Sequence, residues 1–160
     1  MDEIRIRAAV PEDVPVILAL IRELARFEKQ PDAVVATEAD LLRDGWGPTP
    51  RFGCAIAELN GAPCGFALWF YNYSTWEGRA GIYLEDLYVS PAARGKSIGE
   101  KLMVEVARIA VAEGARRLDL NVLDWNPARA FYHRLGITHR DDWLPYRIDG
   151  EALKQLAKRG

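Results

Sequence analysis

Cysteine and histidine are scarce in this chain of 160 residues, with two of each. Cys54 and Cys64 both fall in strand-like segments, so they read as buried, reduced thiols rather than as a disulfide or a redox pair. His133 and His139 form no ligand-spaced cluster with the cysteines or the carboxylates, so no metal site is expected. No apolar run approaches the roughly 20 residues that span a bilayer. No apolar stretch follows Met1-Asp2-Glu3-Ile4-Arg5 as it would in a signal peptide. The expectations are a cytoplasmic protein and no membrane partner. With 21 basic and 23 acidic residues the net charge is -2, which removes bulk attraction to nucleic acid. No repeat, linker or low-complexity run interrupts the chain, and 49% hydrophobic content suits a single domain over residues 1–160.

What is present is a clear alternation of periods. Ile4 and Ile6 sit on one face of a short strand over Ile4–Ala8. Val14, Ile17, Leu18, Ile21 and Leu24 recur at helical spacing after Pro11-Glu12-Asp13, which predicts a helix to about Phe27-Glu28. Thr37 is a cap for a second, short helix that stops near Gly45. Strands are predicted over 52–59 and 65–73, joined by the hairpin signal Asn60-Gly61, and over 82–89. A long helix runs from about Gly95 to Glu113, with Ile98, Leu102, Val106 and Ile109 on its buried side and Gly114 at its end. A strand over 118–122, a helix from Asn126-Pro127 to about Leu135, a last strand over 143–148 and a terminal helix over 150–158 complete the order β-αα-β-β-β-α-β-α-β.

The stretch from Leu84 to Gly99 carries the chemistry. It reads as a strand ending at Ser90-Pro91, a basic turn of small residues, and a helix start. Small residues let backbone approach a ligand, and a helix start offers unpartnered N–H groups and the positive end of a dipole. Arg94 and Lys96 stand where that dipole disfavours cations, which makes sense when an anion is held there. Glu85 and Asp86 lie on the strand leading in. An anion cradle is thus paired with a strand that can position something cationic or reactive.

Leu24-Ala25-Arg26-Phe27-Glu28, Asp40 to Gly47, Tyr83 to Val89, Arg94 to Gly99, and Trp125-Asn126 followed by Phe131-Tyr132, in this order, resemble the GNAT superfamily of N-acetyltransferases. Within it they look closest to the spermidine/spermine branch, which includes diamine and thialysine acetyltransferases. The resemblance covers nearly the whole chain. It implies an α+β fold with a mixed, mostly antiparallel twisted sheet flanked by helices. It implies acetyl-CoA as donor, a primary amine as acceptor, and a homodimer. It also implies that Leu87, Tyr88 and Val89 bind the pantetheine arm, that Arg94, Gly95, Lys96, Ser97, Ile98, Gly99 and Glu100 hold the pyrophosphate, and that Asn126 contacts the lower pantetheine or the acetyl end. The chain departs from the pattern at Ser97, where the family turn usually has Gly, and at Ser74, where polyamine-specific members often carry Asp. The Asn126–Tyr132 spacing is also one residue shorter than usual, a rotation of about 100° if the helix absorbs it.

An alkylamine has a pKa near 10.4, so at pH 7 removing its proton costs roughly 4 kcal/mol. Glu85 is the candidate base, acting directly or through a water. Asp86, next along the strand, points to the other face unless the strand bulges. A bulge near Glu85–Leu87 is what the resemblance implies, and it would aim an N–H such as that of Leu87 at the thioester oxygen. Tyr132 is the candidate acid for the leaving thiolate. Direct attack in a ternary complex is expected, since neither cysteine has a neighbouring histidine. Phe27, Glu28, Trp76, Glu85 and Asp86 are candidates for binding the acceptor. Each has a plain structural alternative: Phe27 as part of a helix end whose apolar face is core, Glu28 as a solvated helix end, Glu85 as an exposed strand residue, Asp86 as a cap on the bulge, and Trp76, like the acid candidate Tyr132, as packing. For the chain as a whole, the alternatives to a small-amine acetyltransferase are a protein or peptide acetyltransferase and a non-catalytic acetyl-CoA sensor.

Overall fold

Five strands form one sheet in the order β1-β2-β3-β4-β5. In this computed structural model, which describes residues 1–160, the sheet belongs to the first of two units, Met1–Leu123, and the second is Asp124–Gly160. The strands are β1 (Ile4–Ala8), β2 (Gly53–Leu59), β3 (Ala62–Ser74), β4 (Arg79–Val89) and β5 (Leu118–Leu120). The first four pair antiparallel, and β5 is parallel to β4. The mostly antiparallel α+β architecture expected from the sequence is what forms. Asn60 (φ 53°) and Gly61 (φ 82°) both take the left-handed conformation that a two-residue hairpin needs between β2 and β3.

Three α-helices belong to this unit: α1 (Val14–Phe27), α2 (Glu38–Trp46) and α3 (Ile98–Ala112). Ile17, Leu18 and Leu24 of α1 bury against Cys54, Ile56, Phe66, Leu68 and Tyr88, which share one sheet face. Ala55, Ala57, Ala67, Ile82 and Leu84 alternate to the other face, and Leu102 and Val106 supply the buried stripe of α3, which packs on the sheet. The entry to α1 is fixed by a two-pronged ion pair, Arg7 Nη1 and Nη2 donating to Asp13 at 2.7 and 2.9 Å, while Val10 N–H donates to the same carboxylate. Thr37 caps α2 reciprocally with Asp40, as its position predicts.

Two expectations need correction. The long helix starts at Ile98 rather than Gly95, because Gly95 (φ 82°) and Ser97 (φ 62°) are left-handed and cannot continue a right-handed helix. The strand expected over 143–148 does not form. In the second unit the chain has α4 (Ala128–Arg134) and α5 (Gly150–Ala157) and no strand. Trp143, Leu144, Tyr146 and Ile148 are exposed. Pro145 sits in the middle of that segment and cannot donate to a ladder, and no strand of this unit lies alongside to pair with it.

Candidate active site

The register of β3 against β4 breaks at one point. Leu68 pairs with Asp86 but Trp69 pairs with Leu84, so Glu85 has no partner on β3. This is the bulge that lets both carboxylates share a face. Asp86 follows Leu68 onto the α1 side, and Glu85, next to the oppositely directed Leu84, reaches the same side. Glu28, just past the end of α1, joins them. Burial pushes the Asp86 carboxyl up to about 7, and the charges of Glu85 and Glu28 push in the same direction. Glu28 is half-buried, and burial followed by the Glu85 charge raises its carboxyl too. Glu85 itself is exposed. No cation offsets the charge around Asp86. Two aromatic side chains that sequence reasoning missed adjoin this group. Tyr83 stacks on Phe70 with centroids 4.9 Å apart, and its hydroxyl is raised by burial and then by the Glu85 charge. Their signal is partly present: Tyr83 stands two residues before Glu85, so alternation alone puts it on the Glu85 face, whereas Phe70 follows only from the register that pairs it with Tyr83.

Beyond the bulge the sheet opens. β5 pairs with β4 only at Ile82–Leu84, so from Glu85 to Val89 no strand lies on that side of β4. An extended, amide-bearing chain can pair along such an edge. The turn that follows contains two left-handed residues. Gly95 is left-handed with nothing within 4 Å of where a Cβ would stand, so backbone there can approach a ligand. Ser97 is left-handed too, and its side chain makes no capping bond to α3. Lys101 N–H bonds to the Ser97 carbonyl at 3.1 Å, whereas the amides of Ile98, Gly99 and Glu100 precede the first residue able to reach back along the helix. These amides and the dipole of a 15-residue helix could hold an anion.

The two cations of the turn are both engaged within the protein. Lys96 Nζ donates to Asp2 at 2.7 Å. Arg94 Nε donates to the Val89 carbonyl at 2.9 Å, and its guanidinium lies over the rings of Phe27 and Tyr88. Trp76 sits at the turn between β3 and β4 and is 88% exposed. Glu85 lies six residue steps along the strand from Arg79, about 20 Å, so the structure does not bring Trp76 to the carboxylates. In the second unit, Asn126 is buried and its Oδ1 accepts from Ala128 N–H at 2.9 Å, capping α4. Tyr132, on α4, is buried beside Phe131 with ring centroids 5.2 Å apart. Burial pushes the thiols of Cys54 and Cys64 up, which makes both poor nucleophiles.

Comparison with known proteins gives this geometry a context. Residues 18–137 match the model of the acetyltransferase (GNAT) family. A thialysine N-epsilon-acetyltransferase from Bos taurus is 43% identical over 166 residues, covering 96% of this chain and 97% of that protein. A spermidine/spermine N(1)-acetyltransferase-like protein 1 from Homo sapiens is 37% identical over 168 residues, and the match covers 98% of this chain and 24% of that longer protein. Among solved structures, an integron cassette protein from the mobile metagenome of V. cholerae superposes with a TM-score of 0.81 at 28% identity, covering 98% of both chains.

Proposed function

The chain belongs to the GNAT family of acetyltransferases and is an N-acetyltransferase; from that premise we propose that it acetylates the primary amine of a small cation, a polyamine, a diamine or a lysine-like amino acid. The observation that carries this reading is the bulge at Glu85, which gathers Glu85, Asp86 and Glu28 on one face with no cation offsetting Asp86. Such a group attracts an ammonium ion and suits a small polycation better than a neutral acceptor. The names carried by the bovine and human relatives point the same way.

Acetyl-CoA is the second substrate and supplies the activated acetyl group. The amides of Ile98, Gly99 and Glu100 hold its diphosphate, with the left-handed turn at Gly95 and Ser97 shaping the approach. The open edge of Leu87–Val89 takes the pantetheine arm, and Asn126 contacts its far end. Glu85, exposed at the bulge, accepts the ammonium proton directly or through a water. Leu87 N–H donates to the thioester oxygen as charge develops there. Tyr132 gives its phenolic proton to the departing thiolate. The amine attacks directly in a ternary complex, since neither raised thiol suits a covalent relay. The family match crosses both units, which supports one catalytic domain over residues 1–160. A cytoplasmic homodimer completes the proposal, its support being the two free, buried thiols and the family resemblance.

The test is a thiol-release assay with acetyl-CoA and a panel of amines: a polyamine, a diamine, lysine, its thioether analogue and a lysine-bearing peptide. Turnover of the small cations with higher kcat/KM than the peptide is the expected result. Turnover of the peptide alone makes this a protein acetyltransferase. Tight CoA binding without turnover of any amine makes it a sensor.

A further inference from the structure

We infer that the Arg94 side chain is a positioning residue for the acceptor end of α1 rather than a ligand of the CoA phosphates. The inference rests on the proposal that the acceptor amine lies beside Glu28, Glu85 and Asp86. Arg94 stands in the basic turn, where an anion contact is the obvious assignment. Its guanidinium carbon lies 5.2 Å from the Phe27 ring centroid and 5.5 Å from that of Tyr88. Its Nε donates to the Val89 carbonyl at 2.9 Å. One side chain thus ties the last residue of α1 to the end of β4. A second tie runs in parallel: Tyr88 Oη and Ser90 Oγ both donate to Glu23, one helical turn before Phe27, at 3.3 and 3.1 Å. Phe27 is followed directly by Glu28, so holding the ring fixes where that carboxylate sits against Glu85 and Asp86. The other cation of the turn, Lys96, is held by Asp2. Recognition of the diphosphate is left to main-chain amides, and the guanidinium acts on the far side of the strand end, on the acceptor's wall.

The contact with the two rings separates the two roles. Lysine keeps the charge of Arg94 but loses the flat face and the in-plane Nε donor, so it can replace a phosphate contact and cannot replace this clamp. The variants are Arg94→Lys, Arg94→Gln and Phe27→Leu. The readouts are acceptor KM, kcat, and the Kd of CoA by calorimetry, which needs no turnover. Each variant is expected to raise acceptor KM about three- to tenfold, the worth of an exposed cation–π pair plus a hydrogen bond. kcat and CoA Kd should stay within about twofold. Arg94→Lys combined with Phe27→Leu should be no worse than the weaker single variant, since both remove the same contact. Tenfold weaker CoA binding in Arg94→Gln, restored in Arg94→Lys, would overturn the inference, and so would an unchanged acceptor KM in all three. Should the wild type turn over no amine, the proposed function fails by itself. Amide hydrogen exchange at residues 24–30 then decides: faster exchange in Arg94→Lys with CoA Kd unchanged upholds the clamp, and unchanged exchange refutes it.

Discussion

Asp86→Asn should make this protein more stable at neutral pH while harming its acceptor binding. Asp86 is a carboxyl raised from the ordinary aspartate range to about 7 by burial and by two neighbouring carboxylates. The folded form therefore holds a proton that the unfolded chain releases near pH 4. Between those values the folded state binds more protons, so stability falls as pH rises. Each pH unit in that window is worth about 1.4 kcal/mol. From pH 5 to pH 7 this amounts to about 3 kcal/mol of stability that the wild type loses and Asp86→Asn keeps. The quantity to measure is the difference in unfolding free energy between variant and wild type, by urea denaturation at pH 5 and at pH 8. Taking the difference between the two pH values removes whatever the amide itself contributes. The variant should gain about 3 kcal/mol more at pH 8 than at pH 5, while acceptor KM rises. A loss of stability at pH 8 would mean that the ionised carboxylate is a structural cap of the bulge, and Asp86 would cease to be a substrate feature.

Other perturbations probe separate parts of the account. Glu85→Gln should lower kcat/KM by about 10²–10⁴, most severely at low pH where the amine is hardest to deprotonate; a uniform loss across pH would reassign Glu85 to binding alone. Tyr132→Phe should lower kcat with CoA Kd, measured by calorimetry, unchanged; wild-type kcat would remove it as the acid. Ser97→Gly should stabilise the protein by about 1 kcal/mol, because a left-handed φ of 62° strains any residue with a Cβ, and melting curves with and without CoA will show whether the cradle is kept. Asp13→Asn should cost about 2 kcal/mol by urea denaturation at pH 7. Hydrogen bonding from Arg7 holds the Asp13 carboxyl below its ordinary value, so this contribution is present above pH 4 and fades as pH falls through the lowered value.

Local chemistry made much of this fold legible in advance. Asn60-Gly61 specified the hairpin, Thr37 and Asp40 specified a capped helix, and the stripe from Val14 to Leu24 specified which face of α1 meets the sheet. The small-residue turn and helix start after β4 were legible because glycine, serine and a helix start are local features. The pleat rule showed that Glu85 and Asp86 can share a face only across a bulge, and the register slip at Leu68/Trp69 supplies it. What stayed hidden depends on partners distant in sequence. Whether Trp143–Ile148 becomes a strand depends on a neighbour to pair with, and Pro145 weakens it further. Arg94 reads as an anion ligand from its local sequence, which carries no sign of its contact with the Phe27 ring. Trp76, close to the acidic strand in sequence, is carried to the hairpin tip by the length of β4.

The most direct measurement is a titration of acetyl-CoA into isotopically labelled protein, followed by amide NMR. Binding as described moves the signals of Gly95 to Glu100 together with those of Leu87 to Val89, at one common dissociation constant. If those amides stay in place while residues elsewhere respond, the diphosphate does not sit at the start of α3, and the reaction cannot take place beside Glu85.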